Sequence, residues 1–79
     1  MIKELDQIVL TSDVPEYGMK AGDIGTVVLV HEGGAGFEVE FVTLGGETVA
    51  VFSVAADRVR SIERHEIAMA RNIDLPLAA

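Results

Sequence analysis

The spacing of apolar and polar positions changes several times along this chain, and each change marks an element. Phe37-Glu38-Val39-Glu40-Phe41 alternates strictly, with three apolar side chains on one face and two carboxylates on the other, the period-two signature of a half-buried strand. Ile24-Gly25-Thr26-Val27-Val28-Leu29-Val30-His31 is rich in the β-branched residues that suit a pleated surface. Gly22-Asp23 before it and Glu32-Gly33-Gly34-Ala35-Gly36 after it make it a strand feeding a hairpin, with Val28 and Val30 expected inward. Leu44-Gly45-Gly46-Glu47 then turns the chain into Thr48-Val49-Ala50-Val51-Phe52-Ser53, since glycine adopts the positive φ of a tight turn without steric cost. These three strands form a meander. Leu5 to Leu10 is a short strand ahead of it, reached through a long connection punctuated by Pro15, Gly18 and Gly22. After a helical turn at Val54-Ala55-Ala56-Asp57, Arg58-Val59-Arg60-Ser61-Ile62 alternates again and is expected to pair as a fifth strand.

Five short strands, one long first loop and a helical turn before the last strand describe an all-β fold, a small SH3-like barrel over residues 1–62. Residues 63–79 are a C-terminal extension expected to pack on the barrel or on a second chain. Two patterns overlap there: Ile62, Glu66, Met69 and Ile73 share a helical face, whereas Ile67, Met69 and Arg71 alternate. An extra strand over residues 66–72 is preferred to a short helix, with Pro76 ending regular structure. Ile67, Met69, Ile73, Leu75 and Leu77 are more apolar surface than one small barrel needs, so a homodimer through this segment is a further expectation.

Charge and composition narrow the function classes. The 79 residues allow one core, and the absence of cysteine removes disulfides, thiolate nucleophiles and zinc sites built on sulfur. The net charge of −7 opposes sequence-independent binding to nucleic-acid phosphates and anionic lipid. Residues 1–47 carry nine acids against Lys3 and Lys20, while residues 48–79 carry four acids and four arginines. The start, Met1-Ile2-Lys3-Glu4-Leu5-Asp6, is charged where a signal peptide needs apolar residues, and a soluble cytoplasmic protein is expected.

From Asp13 onward the chain resembles a small bacterial family catalogued as domain of unknown function 4926. The resemblance lies in Asp13-Val-Pro-Glu-Tyr-Gly-Met-Lys-Ala-Gly-Asp-Ile-Gly-Thr-Val-Val28, then Phe37-Glu-Val-Glu-Phe41, Gly46-Glu-Thr48 and Asp57-Arg-Val-Arg60, with a similar ending at Glu66 to Arg71. It implies an SH3-like barrel and brings no catalytic or ligand-binding residue with it. The occurrence of some members beside small toxin-like proteins implies an immunity or antitoxin role. The Gly22-Asp23-x-Gly25-x-Val27 core is also similar to a short motif of ribosomal and transcription-elongation barrels, and to the barrel of the nitrile hydratase small subunit.

Individual residues point to binding and not to catalysis. Gly22-Asp23-Ile24-Gly25-Thr26 lacks the lysine and following helix of a phosphate loop and reads as a turn in which Asp23 accepts from turn amides and Gly25 permits a bulge or close approach. His31 and His65 have no third ligand at metal spacing, and Ser12, Ser53 and Ser61 have no nucleophile context, so no metal, cofactor or catalytic group is expected. The candidate partner surface is Glu16, Tyr17 and Met19 in the first connection, an apolar anchor ringed by acids, together with Glu38 and Glu40. Arg58, Arg60 and Arg64 are the corresponding residues for RNA. The expected function is thus a non-enzymatic, acidic protein-interaction module, an antitoxin or immunity-type partner of a basic protein. An RNA- or ribosome-associated barrel and an accessory barrel of a larger enzyme are the alternatives.

Overall fold

The computed structural model describes residues 1–73, with strands β1 (Gln7–Leu10), β2 (Ile24–His31), β3 (Gly36–Val42), β4 (Thr48–Ala55) and β5 (Val59–Ser61). Single 3-10 turns at Pro15–Tyr17, Glu32–Gly34 and Ala56–Arg58 join them, and no α-helix is present among the described residues. All pairings are antiparallel in one sheet of order β4-β3-β2-β1-β5. The β3–β4 hairpin turns where the glycines place it: the Thr43 amide donates to the Glu47 carbonyl at 2.8 Å, and Gly46 supplies a φ of 92°.

The expected SH3-like barrel is not formed. β4 and β5 occupy opposite edges, no ladder joins them, and the sheet is open. Alternation along a strand specifies which side chains are buried, whereas closure also requires tilt and stagger that bring the first and last strands together. β5 has three residues, all paired with β1, and is too short to carry a second ladder to the eight-residue β4. The apolar face is covered in part by the first connection, which contributes Val14 and Met19 to the core of Ile8, Leu10, Val27, Phe37, Val39, Phe41, Phe52, Val54 and Val59.

The face of β2 also differs from expectation. Val27 is fully buried while Val28 is 40% exposed, and Val30 packs against the core as expected. The register with β3 slips between Val27 and Leu29, and this β-bulge inverts the inward phase halfway along the strand. Gly25 fulfils its close-approach role: a Cβ there would lie 2.5 Å from Val39 Cγ1 and 2.8 Å from Phe41 Cε2.

Neither the extra strand nor the short helix forms within residues 62–73. Ile67 and Met69, whose alternation suggested the strand, are 94% and 92% exposed, so the alternation has no buried face to serve. Side-chain anchors take the place of a ladder: Glu66 holds Arg60, Arg71 holds Asp23, and Ile73 packs on the core. Leu75, Pro76 and Leu77 lie outside the described residues.

Candidate functional site

The first connection closes on itself. Val14 and Met19 exchange backbone hydrogen bonds of 2.9 and 3.2 Å, and between them Pro15 starts a 3-10 turn that Gly18 ends at a φ of 72°. The two bracketing residues are buried, which fixes the base of this knuckle and lifts Glu16 and Tyr17 out of it. Tyr17 is 48% exposed; its other face stacks on Phe52 with ring centroids 4.2 Å apart and planes 8° from parallel. Phe52 in turn stacks on Phe41 at 5.2 Å, so the half-exposed tyrosine is held by the core. Met19, at 3% exposure, is part of that core and offers nothing to a partner.

Glu38 and Glu40 lie on the opposite face of β3 from its buried Phe37, Val39 and Phe41. Ser53 Oγ donates to Glu38 Oε1 at 2.7 Å, and His31 Nε2 lies 3.3 Å from both that oxygen and Ser53 Oγ. The Ser53 hydroxyl, with His31 next, holds the Glu38 carboxyl below its ordinary range. A Ser-His-carboxylate relay needs the hydroxyl aimed at one imidazole nitrogen and the carboxylate at the other. Here one nitrogen faces both groups and the serine donates to the carboxylate, which makes a cross-strand polar cluster. Glu40 accepts from Thr48 Oγ1 at 2.9 Å. The five residues expected to form one partner surface are therefore separated: Glu16 and Tyr17 rise from the knuckle above Phe52, Glu38 and Glu40 lie on the far face of the sheet, and Met19 is inside.

Arg58, Arg60 and Arg71 are turned onto the chain's own oxygens. Arg58 donates from Nε to Ser12 Oγ at 3.0 Å and from Nη2 to the Asp13 carbonyl at 2.8 Å. Arg60 forks onto Glu66, with Nη1 to Oε1 at 2.9 Å, and Arg64 sits in an exposed turn after β5. Arg71 forks onto Asp23, with Nε to Oδ1 at 2.8 Å. Burial pushes the Asp23 carboxyl up, but the Arg71 fork and the Lys20 amide outweigh it and hold the group below its ordinary range. No group of three or more metal-ligating side chains occurs among the described residues.

The Asp23–Arg71 contact was not legible in the sequence. Its partners are 48 positions apart, and neither stands in a motif with the other. Beside it opens a groove of about 1030 Å³ between the β3–β4 hairpin and residues 68–73. Leu44, 95% exposed at the hairpin tip, and Met69 give this groove an apolar rim.

A family model described as a domain of unknown function (DUF4926) matches residues 4–61. That is well over half of the chain, which therefore belongs to this family. The match takes in every strand and stops at the end of β5, so the similar ending at Glu66 to Arg71 lies beyond it. No curated protein and no solved structure matches the chain.

Proposed function

We propose that this member of the DUF4926 family is a non-enzymatic, acidic binding module whose partner is a basic protein, in the manner of an antitoxin or immunity protein. One observation carries the reading: Arg58, Arg60 and Arg71 are all engaged with the chain's own oxygens, in a molecule of net charge −7. Arg60 and Arg71 each cancel one carboxylate, and the remaining eleven acids outnumber Lys3, Lys20, Arg58 and Arg64, so the net field is negative; such a field attracts a basic surface and repels a phosphate backbone. Tyr17, half exposed and stacked on Phe52, supplies the rigid aromatic anchor that protein contacts favour, with Glu16 beside it. In this reading the module acts in the cytoplasm, needs no cofactor and does no chemistry of its own.

The test is affinity capture of the tagged chain from its native cell, at two salt concentrations, with and without nuclease. A basic protein recovered in stoichiometric amount after nuclease, and less of it at the higher salt, is the expected result. Recovery of ribosomal proteins alone, lost on nuclease treatment, replaces the reading with an RNA-associated one. Co-purification with a catalytic chain that is not basic, and whose activity needs this protein, makes the protein an accessory subunit and also overturns it.

A further inference from the structure

Asp23 is built as a receptor before Arg71 reaches it. Its Oδ2 accepts the Lys20 amide at 2.7 Å and its own amide donates to the Lys20 carbonyl at 3.0 Å, so the turn alone orients the carboxylate. Arg71 then adds the two-pronged fork, with a longer contact from Nη2 to the Gly18 carbonyl at 3.3 Å. Two residues on, Ile73 packs against the core, and the groove beside them is walled by Ile24, Phe41, Val42, Leu44 and Val49. The segment that carries Arg71 makes no ladder with the sheet and is held by side chains alone. Nothing in this geometry depends on the arginine belonging to the same chain.

We infer that Asp23 and the adjoining groove are a docking site for an extended segment of another protein, one carrying an arginine followed two residues later by a branched aliphatic residue. Arg71 and Ile73 take those two positions in cis, with residues 68–73 forming one wall of the groove, until such a segment displaces them. This inference rests on the proposed function and names the chemistry its basic partner presents. Charge complementarity favours a basic segment over a second copy of this acidic chain, since two chains of −7 repel each other on approach. The Asp23 side chain is only 17% exposed and the pair is a two-pronged fork, so an incoming arginine exchanges for Arg71 without loss when it reproduces the fork. The resident segment nevertheless competes at an effective concentration on the order of millimolar, which masks the site from weak ligands.

The probe is a labelled peptide copying residues 66–73, Glu-Ile-Ala-Met-Ala-Arg-Asn-Ile, titrated by fluorescence anisotropy against the full chain. Arg71→Ala releases the resident fork and is expected to bind the peptide about tenfold or more tightly than the unaltered chain. Adding Asp23→Asn to that variant keeps a turn acceptor but removes the charge, and is expected to reverse the gain, as is Arg→Gln in the peptide. Equal binding by Arg71→Ala and the unaltered chain overturns the inference, as does a gain that survives Asp23→Asn. Arg71→Lys, which keeps the charge and lacks the fork, is an independent variant should Arg71→Ala not fold; it is expected to bind the peptide more tightly than the unaltered chain, and no gain there counts equally against the site. Failure of the peptide leaves capture of a basic protein untouched, whereas a peptide that binds while no basic protein is captured removes the proposed function alone.

Discussion

Gly25 matters through the atoms it lacks. A β-carbon there meets Val39 Cγ1 at 2.5 Å and Phe41 Cε2 at 2.8 Å, and Val39 is a stiff, fully buried β-branched residue that cannot swing aside. Gly25→Ala is therefore expected to destabilise the fold by about 1–3 kcal/mol despite alanine's lower unfolded-state entropy, read as a lowered denaturation midpoint with an unchanged slope. Glu66 is the most strongly perturbed acid among the described residues. The Arg60 fork, and after it the Glu63 amide, hold its carboxyl at about 2 against an ordinary 4.5. Because folding lowers this value, the contact supports the folded state above about 4.5 and its contribution disappears as the pH falls through about 2. A carboxyl-carbon NMR titration is expected to give a midpoint near 2, moving back toward 4.5 in Arg60→Gln. An ordinary Glu66 midpoint in the unaltered chain means that the fork is not populated in solution. The sequence disclosed the special character of Gly25, since a glycine inside a β-branched run weakens the strand unless a bulge or a close neighbour requires it. It did not separate Met19, which turns inward, from Tyr17, which stays half exposed, because that division is made by the Val14–Met19 bridge.

At the scale of elements, β2 separates what alternation can and cannot specify. Val27, Val28, Leu29 and Val30 are apolar in succession, so no period distinguishes an inner from an outer face, and the bulge opposite β3 decides it. The consequence is measurable. Val27→Ala, which removes two buried methyl groups, is expected to cost roughly 2 kcal/mol with its cavity, and Val28→Ala less than about 0.5 kcal/mol. Equal costs measured by chemical denaturation place the bulge elsewhere. By contrast the Phe37–Phe41 stretch of β3 was legible, since its inward positions are aromatic or branched and the two positions between them are carboxylates, while Gly36, expected in the preceding turn, and Val42 extend the strand. The segment after β5 was legible in neither of its proposed forms. Its apolar residues suggested a regular element, yet the contacts that place it are Arg60 with Glu66 and Arg71 with Asp23, long side chains whose reach leaves no periodic trace.

For the whole molecule the charge is the property that sequence states most directly and structure arranges. If the partner is basic, its association with the chain is expected to slow by about tenfold or more between 0.05 and 0.5 M salt in stopped-flow mixing, with little change in dissociation. An association rate indifferent to salt removes electrostatic steering from the account. Composition determined this sign of charge and the exclusion of thiol chemistry, and the period-two alternation determined the all-β character. Strand positions were legible for the same reason, since glycine and alternation act over a few residues, but their limits were not. β1 begins at Gln7 and not at Leu5, which takes a φ of 73°, β4 runs through Val54 and Ala55, expected in the helical turn, and β5 is confined to Val59–Ser61. Only the tertiary structure decided that the sheet stays open, that Glu38 and Glu40 face away from the Tyr17 knuckle, and that Asp23 meets Arg71. Those outcomes depend on strand length against strand length and on side chains brought together from distant positions, and they are settled by packing in three dimensions.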